Sequence, residues 1–88
     1  MTIVVKKDER REEFDREKIR RGIEKAAERT DIEREKAKEI AEKVAREIEE
    51  NFRERDEVRT EEIRERVLDM LEREEKRIAD EFRAFRKE

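Results

Sequence analysis

Cysteine, histidine, serine, tyrosine, proline, glutamine and tryptophan are all missing from this chain of 88 residues. Without cysteine there are no disulfides and no thiolate metal sites. Without histidine there is no zincin-type metal centre. The only hydroxyl side chains are Thr2, Thr30 and Thr60, and the only glycine is Gly22. A serine nucleophile and a glycine-rich phosphate loop are therefore both excluded. Carboxylates are abundant, at 29 acidic residues, but no pair stands apart as an acid–base couple, and the composition is not that of an enzyme. No apolar run approaches the roughly 20 residues of a membrane span. The apolar stretch Ile3–Val5 is too short for a signal peptide. A membrane partner is not expected, and a natural source would place the chain in the cytoplasm.

What is present is charge. Charged residues make up 62% of the chain, against about 25% in ordinary domains. The 26 basic and 29 acidic side chains nearly cancel, to −3. Disorder usually needs a large net charge as well as few apolar residues, and here the 32% hydrophobic residues are periodic. A folded chain with a lean core is expected, forming one domain over residues 1–88. Residues 1–30 carry 10 basic and 8 acidic side chains, residues 31–88 carry 16 and 21. That mild asymmetry, with no long block of one sign, does not suggest a nucleic-acid partner. So restricted an alphabet of helix formers and mixed surface charge favours an idealised, designed sequence over a hyperthermophile source, which would enrich Glu, Lys and Arg without losing every Ser, Pro and Tyr.

Residues 2–7, TIVVKK, read as a strand. Residues 10–14, RREEF, form its antiparallel partner around Asp8-Glu9, a register that sets Ile3 opposite Phe14. Glu9 occupies the place where a hairpin loop prefers glycine. Asp15 then caps a first helix over about 16–29, with an apolar stripe of Ile19, Gly22, Ile23, Ala26 and Ala27. Gly22 points to a close helix approach or is a tolerated defect. Thr30 and Glu33 fit a capping box opening a second helix over about 31–53. Its buried face is Ala37, Ile40, Ala41, Val44, Ala45, Ile48 and Phe52, and Glu39–Lys43 and Glu42–Arg46 are spaced to pair on its outer face. Val58 marks a short third strand. Thr60 caps a third helix carrying Ile63, Val67, Met70 and Leu71, and a fourth carries Ile78, Ala79, Phe82 and Phe85. A continuous helix from 61 to 87 would be about 42 Å long, too long for so small a globule, so a bend is expected near Arg73–Glu75. The expected class is α+β: an N-terminal β-hairpin plus a short third strand packed on a four-helix bundle.

That order, with these residues, resembles the ATP-cone. This is the nucleotide-binding regulatory domain at the front of many ribonucleotide reductase large subunits, found also in the repressor of reductase genes. The family opening, roughly V-x-K-R-D-G-R-x-E-x-F-D-x-x-K-I, is matched by Val4 through Ile19, VVKKDERREEFDREKI. EVRTEEIRERVLDML resembles the family's strand, cap and Ile-x-x-x-Val helix. IADEFRAFR resembles its closing A-x-x-Y-x-x-Y-R, with Phe82 and Phe85 for the tyrosines. The resemblance implies ATP or dATP with Mg2+ as ligand, held by Val4, Lys6, Lys7, Glu12, Asp15 and Lys18, with Thr60 and Arg64 contributing. Lys7 stands where the family has Arg, and Glu9 where it has Gly. The 88 residues hold neither a reductase catalytic domain nor a Cys-rich zinc ribbon.

The residues support an anion clamp independently. Phosphates want cations and free backbone N–H groups, and a helix start supplies the latter. Lys18 falls at the third helical position, where the dipole disfavours a cation and Glu is preferred. A local rule broken there is one that a phosphate would repair. The plain alternative is that a surface so charged carries lysines everywhere. Phe14, Phe52, Phe82 and Phe85 each fit an apolar stripe and read as core rather than as adenine platforms. Three other readings stay open: a designed structural protein with the cone shape and no ligand, a helical module that self-associates through its Phe82/Phe85 face into a homo-oligomer, and a plain helical bundle with a frayed first strand.

Overall fold

Ile3-Val4-Val5 is the longest run of β-branched apolar residues in the chain, and it becomes the centre of a three-stranded sheet. The computed structural model describes residues 1–85. Along them run β1 (Ile3–Val5), β2 (Arg11–Glu13), α1 (Arg16–Ala27), α2 (Arg34–Phe52), β3 (Glu57–Arg59), α3 (Thr60–Glu74) and α4 (Lys76–Ala84). The sheet order is β2-β1-β3, with β2 antiparallel and β3 parallel to β1. The expected α+β class and third strand are thus present. Arg86 of the closing motif lies outside the described residues.

The hairpin register differs by one residue from the expected one. Ile3 lies opposite Glu13, not Phe14, and Val5 opposite Arg11. The turn sets this. Lys6 N–H donates to the Arg10 carbonyl at 2.8 Å and Glu9 N–H to the Lys6 carbonyl at 2.9 Å, so three residues loop out rather than two. Glu9 takes φ 71°, the left-handed conformation that a three-residue hairpin loop places at its last position. For a residue with a Cβ that conformation costs about 1–2 kcal/mol.

Side chains alternate across a sheet, so Glu12, Val4 and Val58 share one row. Val58 is 1% exposed, and Val4 packs against the same core. On the opposite face Arg11 pairs with Glu57 at 2.6 Å diagonally across β1, and Arg59 with Glu9 at 3.1 Å. Val5, flanked in register by Arg11 and Arg59, is buried there. Thr2 fastens the sheet to the helices, its hydroxyl donating to the Phe52 carbonyl at 2.9 Å from a buried position.

Each helix packs on two others: α1 on α2 and α4, α3 on α2 and α4. The expected stripe of α2, from Ala37 to Phe52, is buried throughout. Ile23, Val44, Ile48, Val67, Leu71 and Ile78 form the fully enclosed centre. The bend falls at Glu75, whose extended backbone (φ −164°, ψ 98°) ends α3 and starts α4. Its N–H donates to the Leu71 carbonyl, and its own carbonyl accepts from Ile78 and Ala79. Burying Ile78 and Ala79 completely is what α4 gains by folding back. The long axis is accordingly 36 Å.

Several local expectations are corrected. Thr30 does not cap α2. Its hydroxyl donates to the Ala27 carbonyl at 2.6 Å and accepts from Ile32 N–H at 3.2 Å, closing the end of α1, and α2 starts three residues later behind Glu33. Thr60 is the first residue of α3, not its cap. Arg59 holds the cap position, and Glu62 reaches back to accept from Arg59 N–H at 3.2 Å. Lys43 ignores Glu39 and crosses to Glu74 at 2.9 Å; Glu42–Arg46 is likewise not paired among the described residues. Interhelical reach ties two elements together, which an i,i+4 pair does not. Phe52 is core and Phe14 and Phe82 are packed against it, but Phe85 is 44% exposed. α4 ends at Ala84, so the helical stripe no longer aims the Phe85 ring inward. The Arg29 guanidinium lies over its face, 5.8 Å from the ring centre.

Gly22 marks the close approach of α1 and α4. A Cβ there would lie 3.7 Å from Phe82 Cε1, an ordinary van der Waals contact. The helical position therefore accepts alanine, and Gly22→Ala should raise stability by about 0.5–1 kcal/mol. A thermal melt should show an increase of about 2–8 °C; a decrease would mean that α1 and α4 pack more tightly than this contact allows.

Candidate functional site

Three residues far apart in type of element meet at one carboxylate. Lys6 follows β1, Glu12 is the middle of β2 and Lys18 lies in the first turn of α1. The three-residue turn sets Lys6 opposite Arg10, which puts Lys6, Val4 and Glu12 on the same side of the sheet. Asp15 then starts α1 at a fixed distance from β2. Its side chain accepts from Glu17 N–H at 3.0 Å, as its predicted capping role requires. This start aims Lys18 back over the hairpin. Its ammonium donates to Glu12 Oε1 at 2.9 Å, and Lys6 Nζ stands 3.5 Å from Glu12 Oε2. Lys6 and Glu12 side chains are about 30% exposed and Lys18 is 57% exposed.

The remaining predicted residues divide. Val4 lies between Glu12 and Val58 in register, an apolar neighbour of the cluster. Thr60 is brought to β1 by the parallel pairing, its hydroxyl donating to the Val5 carbonyl at 3.3 Å. Lys7 is exposed in the turn, and its side chain makes no hydrogen bond or ion pair among the described residues. Arg64 is directed elsewhere. It donates to the Phe82, Arg83 and Phe85 carbonyls at 3.0–3.3 Å and stacks 5.0 Å from the Phe82 ring centre. Those carbonyls form the negative end of α4, where a cation is favoured. Arg64 therefore caps α4.

Sequence reasoning gave Phe82 to the core, or to a self-associating face with Phe85. It is half-buried, with Gly22 against its edge and Arg64 on its face. Gly22 lies one helical turn beyond Lys18 on the same face. That i,i+4 spacing was the available signal, but the partner helix was not. A groove of about 720 Å³ lies elsewhere, between the end of α1 and the start of α2. Its Arg20, Arg34 and Lys38 are balanced by Glu24, Glu28 and Glu35, so it has no preference for an anion.

Two ammonium groups that converge on one carboxylate can converge on a phosphate, which offers more charge and more acceptor oxygens. The donor set thus fits a polyphosphate. Among the described residues no group of three His, Cys, Asp or Glu side chains is placed to hold a metal ion. No described helix is long and apolar enough to cross a membrane. The family model described as the ATP cone domain matches residues 2–88. Comparison with curated proteins gives no match.

The Lys18 hydrogen bond, aided by the charge of Lys6, holds the Glu12 carboxyl below the usual glutamate range, outweighing a small opposing effect of burial. A carboxyl with a depressed folded-state pKa contributes stability above its unfolded value, and that contribution disappears as pH falls through the folded value. A carbon-detected NMR titration should place the Glu12 midpoint below 4.5, and Lys18→Met should move it upward. An unmoved midpoint in that variant would show that the ion pair does not form.

Proposed function

Since the chain belongs to the ATP-cone family, we propose that it is a non-catalytic, regulatory-type domain that binds ATP or dATP, with Mg2+ carried on the phosphates. The observation that carries this reading is the convergence of Lys6 and Lys18. Lys6 and Lys18 hold the triphosphate, and Lys7 adds positive field from the turn. Val4 supplies an apolar wall. Asp15 holds the start of α1 in place, Thr60 fixes β3 and α3 against β1, and Glu12 stands between the two ammonium groups. Arg64, held on the Phe82 ring and the carbonyls that close α4, contributes only indirectly, through the packing of α4 on α1. The bound nucleotide supplies negative charge and a flat base; the chain's own residues do the holding and the orienting.

Calorimetric titration with Mg-ATP and dATP tests this. Lys6→Ala or Lys18→Ala should each weaken binding about tenfold, as expected for losing a charge-assisted hydrogen bond, with the melting temperature little changed. Equal affinity in wild type and both variants would place the nucleotide elsewhere. In the wild type, Mg-ATP at 100 times Kd should add about 2.7 kcal/mol, or about 10–20 °C for a chain this size. A melting temperature indifferent to the nucleotide favours instead a structural protein that keeps the cone shape without a ligand.

The exposed Phe85 ring supports a second reading, self-association through the Phe82/Phe85 face. Sedimentation velocity across a range of concentrations should then show a dimer that Phe85→Ala abolishes. A monomer at every concentration rules that reading out.

A further inference from the structure

One exposed face of α1 carries charge of a single sign. Lys18, Lys25 and Arg29 recur at spacings that stack them on that face, and Arg21 adjoins them. Arg29 follows the last turn, its N–H still donating to the Ala26 carbonyl at 3.1 Å. All four side chains are exposed. Lys18 is shared with the hairpin cluster through Glu12. The side chains of Arg21 and Lys25 make no hydrogen bond or ion pair among the described residues. Arg29 lies over the Phe85 ring and has no carboxylate partner among them. The α1 carboxylates nearest Arg21 in the turns on either side are already taken, for Arg20 holds Glu17 and Glu24, each at 2.6 Å. The exposed face of α2 is built differently, with Glu39, Glu42, Lys43 and Arg46 mixing both signs. In a chain of net charge −3, about three turns of one-signed cations depart locally from the interspersed charge that solubility asks for.

An apolar strip borders the row. Gly22 sits among these cations with Phe82 against it, both half-buried, and Phe85, 44% exposed, lies beside Arg29. We propose that this face of α1, with the adjoining edge of α4, is a docking surface for an acidic amphipathic helix of a partner protein. Successive cations stand about 4.5–6 Å apart along the axis, the rise of three or four helical residues, and carboxylates on a facing helix repeat at the same interval. An acidic row pairs with the basic one, while apolar side chains beside it cover Phe82 and Phe85. Arg21 and Lys25 break no internal ion pair to do this. A second copy of the chain fits less well, because a two-fold axis through this face sets the two basic rows against each other. Among the described residues the exposed large apolar side chains are Met1 and Phe85, too few to insert into a lipid surface. A nucleic-acid base needs an open ring to stack on, and Arg29 already lies over that of Phe85. The row needs neither Lys6 nor a bound nucleotide, so it stands apart from the nucleotide reading.

The probe is a synthetic four-turn helical peptide with Glu along one face and Leu on the adjoining face, followed by fluorescence anisotropy. A peptide with Lys in place of Glu, an oligothymidylate, and vesicles of phosphatidylserine and phosphatidylcholine are the comparisons. Wild type should bind the Glu peptide more tightly than any of these. The double variant Arg21→Gln, Lys25→Gln should bind it about three- to tenfold more weakly, the loss of two exposed ion pairs, and Lys38→Gln on α2 should bind as wild type does. Glutamine is a good helix former at both positions, and circular dichroism reports folding. Mg-ATP affinity should be the same in the double variant as in wild type. A wild type that binds the peptide but not Mg-ATP supports the docking surface and sinks the nucleotide reading alone. No binding of the Glu peptide, or equal binding by the double variant, overturns the docking surface. Equal weakening in Lys38→Gln overturns it in favour of net charge, and equal affinity for the oligothymidylate or the vesicles in favour of a general polyanion surface. Mg-ATP affinity lost in the double variant overturns it by placing Arg21 and Lys25 in the nucleotide seat. A dimer in sedimentation that Phe85→Ala abolishes overturns it too, because a second copy then fills this face.

Discussion

The parallel pairing of β1 with β3 is the contact on which the rest of the molecule depends. It joins residues more than 50 positions apart, Val4 with Val58 and Val5 with Arg59. Everything between them must return along the helices to allow it. A parallel pair cannot be made with a tight turn, so the connection has to be long, and here it is the second hairpin strand and two helices. Val4 and Val58 enter the helical core side by side, and Thr2 is drawn onto the end of α2. The start of α3 is placed beside β1 by the same register, which is how Thr60 comes to touch the Val5 carbonyl. A three-residue strand flanked on both sides has few hydrogen bonds of its own. Its stability comes from the valine row and the buried hydroxyl, not from the ladder.

Charge does different work at different depths in this protein. On the helices the pairs that cross between elements, Lys43–Glu74, Arg16–Glu49 and Arg77–Asp31, join exposed side chains. Such pairs are worth from nothing to about 1 kcal/mol each. They select among packings more than they stabilise one. The core that holds the fold is small and aliphatic, built of Ile, Val, Leu and Ala with Phe52 at one end. At the hairpin the pattern changes. Two cations, Lys6 and Lys18, share one anion, Glu12, and Lys18 and Lys7 are exposed.

The legible parts of the fold were those decided by periodicity. The α2 stripe, the β-branched first strand, the Asp15 cap and the break before Ile78 follow from side-chain spacing and local hydrogen bonding, and each is present. What was not legible was decided by tertiary partners. The Thr30-x-x-Glu33 pattern satisfies a capping box on paper, but Thr30 finds the Ala27 carbonyl first and is used to end α1. Lys43 has Glu39 one turn away and takes Glu74 from another helix. The hairpin register moved by one because Glu9 accepts a left-handed conformation normally left to glycine. The misfit of Glu9 was visible; its consequence, an extra loop residue, was not. In the candidate site the family opening named Lys6, Glu12 and Lys18, and these three meet. Arg64 was named with them on the strength of one helical turn from Thr60, but three carbonyls of α4 claim its guanidinium.

Arg64 and Phe82 join three of the four helices. Its side chain leaves α3, crosses the Phe82 ring and closes the end of α4, while Phe82 rests against Gly22 of α1. Lys18 stands one turn before Gly22 on that same face of α1. Phe82 is half-buried, and Ile23, Ile48 and Ile78 are fully enclosed. The Lys6–Glu12–Lys18 cluster thus lies at the start of α1, and the exposed Phe85 ring lies at the end of α4, the helix that packs on α1.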